Sequence, residues 1–360
     1  MSFDPTRPYN ELLLLPPKVD LESKAVLRKT ISASRALAEL KGLGQTIPEQ
    51  AILINSVILQ EAKASSEIEN IITTNDKLFQ AFTAKNGRFD PATKEVLRYR
   101  EALWLGFDEL RKRKVLTTNV FVRIVQTIRQ NRAGIRDVPG TALQTPNGMI
   151  IYTPPEGRAL IQDKLRNLED YIHSEDKVDP LIKMAVVHYQ FEAIHPFSDG
   201  NGRTGRIINS MFLVLKDLLE LPVLYLSKYI IEHKTEYYQL LRRVTEDHDW
   251  EPWILYMLDA VEQTAVFTRK NIIAIRNLML ETMELARGKL PRRVYSKELI
   301  ELLFRQPYTK VKFLVDANIA ERKTAAEYLK QLEIIEILQR RKIGREVLYL
   351  NTKLYELLAQ

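Results

Sequence analysis

The stretch His195–Arg206, HPFSDGNGRTGR, decides how the rest of this chain is read. It stands between two long apolar helical patterns. Pro196 cannot continue the pattern that arrives over 180–194, so the chain must turn where His195 sits. A new helix then begins near Asn201 or Gly202. Gly200 and Gly202 let the backbone turn tightly and approach a ligand without a Cβ in the way. Backbone N–H groups at such a helix start form a nest for an anion. Arg203 and Arg206 are three apart, so both fall on one side of that start and can hold further phosphate oxygens. Asp199, an acceptor only, suits a Mg²⁺ ion that bridges phosphates. His195 titrates near neutrality and can take a proton from an attacking hydroxyl.

Plainer readings compete. The glycines alone would be read as a structural turn. A Walker loop is excluded, because no Gly-Lys-Ser/Thr follows at the required spacing. Glu192-x-x-His195 looks like half of a di-iron motif, but none of the other four histidines has a Glu three residues before it. A base, a metal carboxylate, a nest and two arginines within twelve residues point to phosphate chemistry.

The flanking sequence is mainly helical. After an extended lead-in through Pro16-Pro17, apolar spacing predicts helices over 22–40, 49–63, 92–113 and 118–130. The breaks KGLGQTIP (41–48) and NGRFDP (86–91) separate them. The segment 134–157 differs: four glycines, four prolines and the β-type run Met149-Ile150-Ile151-Tyr152 predict a hairpin or flap, against the alternative of a long surface connection. Helices follow over 158–173 and 180–194, the second opened by Asp179 as cap and Pro180 at its first position. Beyond the loop, Ile207, Ile208, Met211, Phe212 and Leu215 trace one helical face, and helices continue to about residue 286. ARGKLPRR (286–293) predicts a linker.

HPFSDGNGRTGR matches, at every defining position, the signature H-x-F-x-[D/E]-G-N-G-R-x-x-R, and on it the chain resembles the Fic family. The resemblance implies a mainly α fold: a Fic helical core with a short β-hairpin flap, a helical N-terminal region and a C-terminal winged helix-turn-helix. It implies transfer of AMP from ATP to a Ser, Thr or Tyr hydroxyl of a protein, self-modification included, with ATP as substrate and Mg²⁺ as the ion. Residue by residue, His195 is the general base and Asp199 the Mg²⁺ ligand. Gly200, Asn201 and Gly202 cradle the phosphates, Arg203 holds the β-phosphate region and Arg206 the γ-phosphate. Thr204 and Gly205 belong to the same ATP-binding run, and Phe197 anchors the loop in the core. The flap over 140–157 holds the target segment by strand addition. Another donor, removal of AMP, or a nucleotide-sensing regulator that binds DNA are the alternative functions.

SSEIEN (65–70) fits the family's inhibitory pattern [S/T]-x-x-x-E-[G/N] through Ser65, Glu69 and Asn70. Glu69 on a helix is expected to pair with Arg206 and occupy the arginine that orients the γ-phosphate. Ser66-x-x-Glu69 is also an ordinary capping box. By family position the adenine pocket is lined from residues 233–253, with Tyr237 and Tyr238 as candidates for stacking or ribose contact and a place in the helical core as the alternative.

The charge is uneven. From Lys289 onward there are 15 Lys and Arg against 9 Asp and Glu, a net of +6; the first 288 residues hold 38 against 37. The tail reads as three helices and a two-stranded hairpin turning at Lys342-Ile343-Gly344. Its third helix starts near Glu321 with Arg322, Lys323 and Thr324, and Ala325, Tyr328, Leu329 and Leu332 pack inward. This resembles the winged helix-turn-helix of longer Fic proteins. DNA, met through Arg340, Arg341 and Arg345, is one candidate partner, and protein contact or a homodimer is the other. The expected domains are 1–110, 111–286 and 291–360. The absence of cysteine excludes disulfides and thiol catalysis. With no signal pattern and no long apolar run, a cytoplasmic protein with no membrane contact is expected.

Overall fold

The computed structural model describes residues 3–44, 50–83, 89–132, 134–145, 147–343 and 346–359. Parts of both predicted breaks, and the wing-turn residues Gly344 and Arg345, lie outside the described residues. The chain is mainly helical.

The extended lead-in lies across the core: Asn167 bonds both the N–H and the carbonyl of Leu15, and Lys164 donates to the Leu12 carbonyl. Helix α1 (Lys24–Gly44) packs along α11 (Trp250–Lys289), the longest helix of the fold. Helix α2 (Gln50–Ile68) runs five residues past the predicted end at 63. Its serines do not break it, because Ser66 Oγ donates back to the Ala62 carbonyl four residues earlier. That bond also replaces the capping-box reading, since Ser66 stands inside a helix and not before one. Asn70, at φ 62°, ends the run in the left-handed region that Asn tolerates. Helix α3 (Asn75–Thr83) has no counterpart in the sequence reading; its four buried positions are too few to show a period.

Helices α4 (Pro91–Arg113), capped by Asp90, and α5 (Thr118–Arg129) form a hairpin. Strands β1 (Leu143–Gln144) and β2 (Ile150–Tyr152) then pair antiparallel as the flap, Leu143 opposite Tyr152. Helices α6 (Arg158–His173) and α7 (Pro180–Ile194) match the predicted spans. Asp179 caps α7 by accepting from the Leu181 N–H at 2.8 Å. Helix α7 is apolar on every side and correspondingly buried, with α6, α8 (Asn201–Leu215) and α11 around it. Short helices α9 (Leu226–Glu232) and α10 (Lys234–Asp247) cover this centre and lead into α11. Helix α11 extends to Lys289, so the first half of the predicted linker is helical.

The tail contains α12 (Lys297–Phe304), β3 (Tyr308–Thr309), α13 (Val311–Asp316), α14 (Arg322–Ile334), β4 (Gln339–Ile343), β5 (Glu346–Leu350) and α15 (Thr352–Leu358). Its sheet has the order β3-β5-β4, all antiparallel, which makes a winged helix arrangement with one strand more than the expected hairpin. The tail rests on the N-terminal helices. Gln60 of α2 donates to the Leu358 carbonyl, and the Tyr308 hydroxyl donates to Asp76 of α3. Among the described residues no helix is long and apolar enough to cross a membrane.

Candidate functional site

The site is built where α7 ends and α8 begins. His195 leaves α7 in the left-handed region, φ 48°, with its N–H on the Phe191 carbonyl. Arg136 holds this turn from outside, donating to the carbonyls of His195 (2.8 Å), Pro155 and Ile194. Phe197 is buried, as expected of an anchor. Asn201 spends its side chain on the loop itself: Oδ1 accepts from the Phe197 N–H at 2.8 Å and Nδ2 donates to its carbonyl at 2.7 Å. The Asn201 side chain thereby closes the loop on itself. Gly200 stands at φ +83°, the conformation that opens α8 and that a Cβ would strain.

Gly202, Gly205 and Arg206 share one face of the first turns of α8. A Cβ on Gly202 would come within 2.8 Å of Glu69 Oε1 and 2.9 Å of Arg206 Nη1. The Glu69 carboxylate therefore lies against the first turn of α8, beside Gly202 of the run expected to cradle phosphate. Its Oε2 accepts from Arg203 Nε at 2.6 Å and its Oε1 from Arg206 Nη2 at 2.9 Å. The sequence pattern points to Arg206 alone; the structure places Glu69 between both arginines. Ser65 adds to the hold, since Arg206 donates to its Oγ at 2.7 Å and its carbonyl at 2.8 Å. Asn70 sets the turn behind Glu69. Both arginines are almost wholly buried, at 1% and 2% side-chain exposure, where such pairs are least screened.

Two residues that sequence reasoning missed complete this charge cluster. Glu95 of α4 accepts from Arg203 Nη1 at 2.5 Å, and Arg129, the last residue of α5, pairs with Asp199 at 2.7 Å. Neither sits in a motif, and both reach the loop from distant parts of the sequence, so no local pattern marks them. Asp199 is half exposed, with its other oxygen 3.6 Å from Arg203. One carboxylate beside a phosphate nest is a donor set that Mg²⁺ accepts when phosphates supply further oxygens. Arg129 holds Oδ2 of Asp199, and Oδ1 is the oxygen it leaves for the ion.

His195 is held well below the ordinary imidazole value, at about 4. Burial is the main cause; the Glu192 carbonyl, near Nδ1 at 3.3 Å, raises it, Arg136 lowers it and Asp199 raises it. The ring is therefore neutral at physiological pH. Thr204 is buried beneath the loop, and Gly205 faces the side chain of Glu192.

The two tyrosines of α10 part company. Tyr237 is a core residue, 2% exposed, its hydroxyl bonded to His188 Nε2 at 2.8 Å and its ring against Trp253. Tyr238 instead lines a cavity of about 220 Å³ together with Leu143, Ile151 and Tyr152 of the flap, Thr245 and Glu192.

Three family models match the chain in succession: Fic/DOC family N-terminal over residues 27–108, Fic/DOC family over 115–213, and the C-terminal domain of SoFic-like protein adenylyltransferase over 278–354. Protein adenylyltransferase fic-1 of Caenorhabditis elegans is 29% identical over 105 residues, which is 29% of this chain and 19% of that one. Probable protein adenylyltransferase aq_aa38 of Aquifex aeolicus is 35% identical over 79 residues, 22% of this chain and 24% of that one. The chain thus spans about a fifth to a quarter of the length of these curated relatives. The solved structure of a Fic family protein from Desulfovibrio desulfuricans superposes with a TM-score of 0.60 at 16% identity, covering 93% of this chain and 98% of that one. Fic-1 from C. elegans gives 0.52 at 18% identity over 70% and 74%. At these identities the two structures bear on the fold.

Proposed function

The chain belongs to the Fic/DOC family, and on that premise we propose that it transfers AMP from ATP to a Ser, Thr or Tyr hydroxyl of a protein, itself included, and that Glu69 restrains it. The observation that carries this reading is the Glu69 carboxylate against the first turn of α8, bonded to Arg203 at 2.6 Å and Arg206 at 2.9 Å. A carboxylate beside Gly202 and between the two guanidiniums occupies the arginines a triphosphate needs.

With Glu69 withdrawn, the N–H groups of the first turn of α8 and the two arginines hold the β- and γ-phosphates. The target hydroxyl oxygen attacks the α-phosphorus and its proton passes to the neutral His195 ring. The bond from α-phosphorus to the bridging oxygen breaks and pyrophosphate leaves. Catalysis rests on positioning and on charge already in place. Asp199 would hold Mg²⁺, which supplies charge neutralisation on the phosphates when bound. The paired flap strands offer an edge to the target segment.

A second role belongs to the tail. Arg340, Arg341 and Lys342 on β4 are exposed, as are Arg322 and Lys323 at the start of α14, which supports contact with DNA phosphates. Loss of a salt-sensitive gel shift in Arg340→Ala/Arg341→Ala would support that role, and no shift even at low salt would remove it. For the transfer itself, intact-mass spectrometry after incubation with MgATP should find AMP adducts on Glu69→Gly chains and none on Glu69→Gly/His195→Ala. Equal adducts on both would refute the role of His195.

A further inference from the structure

The face of α8 that Glu69 covers carries a second carboxyl. Glu192, on the last turn of α7, lays its Oε1 across Gly205, where a Cβ would come within 2.3 Å of it. That oxygen is buried and has no hydrogen-bond partner among the described residues. The side chain also lines the cavity under Tyr238. Gly202, Gly205 and Arg206 share the face, so one carboxyl sits over Gly202 and Arg206 and the other over Gly205. The first is bonded to two arginines; the second oxygen is left unpaired. A buried polar atom without a partner is costly in a resting protein and becomes useful when a ligand supplies the partner.

We propose that Glu192 is a nucleotide-binding residue which works as the neutral acid, its carboxyl O–H donating to an oxygen of the triphosphate that replaces Glu69. This rests on the functional reading given above. A triphosphate lying over Gly202 and Arg206 comes next to Glu192. An ionised Glu192 would repel it, whereas a protonated one donates a hydrogen bond to it. The titratable and charged groups around Glu192 are Glu69 from the turn after α2, Arg206 of α8, Tyr237, Tyr238 and Arg242 of α10, Tyr152 of the flap, and His188, Tyr189 and His195 from its own helix and turn. Of these, Arg206 is the cation that acts on the carboxyl, since both histidines are held neutral by burial, and it already gives hydrogen bonds to Ser65 and Glu69; Arg242 gives its Nε to Glu246. Burial pushes the Glu192 carboxyl up to about 7, Arg206 pulling it down and Glu69 pushing it further up. An arriving triphosphate replaces the negative charge of Glu69 with more of the same sign, which keeps the proton on Glu192.

The test is calorimetric titration of MgATP into the full-length Glu69→Gly chain between about pH 5.5 and about pH 8.5, with and without changes at Glu192. Glu192→Gln keeps a donor at every pH and shares the ionisation of ATP itself, so it is the reference. Affinity of the chain that retains Glu192 should weaken relative to Glu192→Gln as pH rises, reaching about tenfold at the alkaline end. Glu192→Ala, which has no donor, should bind about tenfold more weakly than either chain at the acid end. Parallel pH curves with Glu192 retained and with Glu192→Gln, or full affinity in Glu192→Ala at acid pH, would overturn the proposal. Failure of the underlying reading shows itself separately, as a Glu69→Gly chain that binds no MgATP at any pH.

Discussion

Replacing Glu69 by glycine tests the restraint quantitatively. The substitution removes two charge-assisted hydrogen bonds, at 2.6 and 2.9 Å, from arginines that are 1% and 2% exposed. A hydrogen bond to a charged group contributes about 1.5–3 kcal/mol. Glu69 itself is 23% exposed, so the lower end applies and the two together come to about 3 kcal/mol. ATP must displace these contacts in the parent chain and is spared that step in the variant, so its Kd should fall by about a hundredfold. Arg203 keeps Glu95, and Arg206 keeps Ser65, so the loop retains its shape. Without nucleotide the variant should melt a few degrees lower, because two buried guanidiniums lose a carboxylate. Saturating ATP should restore the loss. Calorimetry with MgATP and thermal melts with and without it measure both arms. An ATP affinity that changes less than about twofold would refute the reasoning, whatever happens to the melting temperature.

Other expectations follow from the same geometry. Gly202→Ala puts a methyl group 2.8 Å from Glu69 Oε1 and 2.9 Å from Arg206 Nη1, both flexible ends that can shift. Stability should change by less than about 1 kcal/mol, yet MgATP should bind at least about tenfold more weakly in the Glu69→Gly background; unchanged binding would remove the nest from the account. Transfer by Glu69→Gly should stay level from neutral pH downward and fall only as pH passes about 4, because His195 accepts a proton only while neutral and burial holds it near that value. A midpoint near the ordinary imidazole value would contradict this. Buried His188, lowered to about 3, and His195 both bind protons more readily when unfolded. Their share of stability is complete above about pH 6.5 and shrinks as pH falls toward those values; the unfolding free energy from urea titration should be less acid-sensitive in His188→Gln, by several kcal/mol.

Legibility in the sequence followed the range of the interactions involved. The loop, its two helices and the Asp179-Pro180 start were readable because turn and cap chemistry acts between near neighbours. The flap was readable from the run 149–152 set among glycines and prolines. Glu95 and Arg129 were not, since their place in the cluster depends on how α4 and α5 pack against α8. Glu192 stood in plain view as part of an incomplete metal motif, but only the packing of α7 on Gly205 reveals an unpartnered carboxyl oxygen. Tyr237 and Tyr238 are adjacent and alike in sequence; the packing of α10 against Trp253 takes the first into the core and leaves the second at the cavity. The bond from Ser66 Oγ back to the Ala62 carbonyl, inside the last turns of α2, is likewise invisible to helix propensity.

Once Glu69 is removed, the loop between α7 and α8 is expected to transfer the α-phosphoryl group with its nucleoside, using His195. Parallel incubations of Glu69→Gly and Glu69→Gly/His195→Ala with α-labelled and γ-labelled ATP measure this most directly. Protein should take up the α label alone, and only when His195 is present. Uptake of the γ label, or of neither label by Glu69→Gly, would contradict the account.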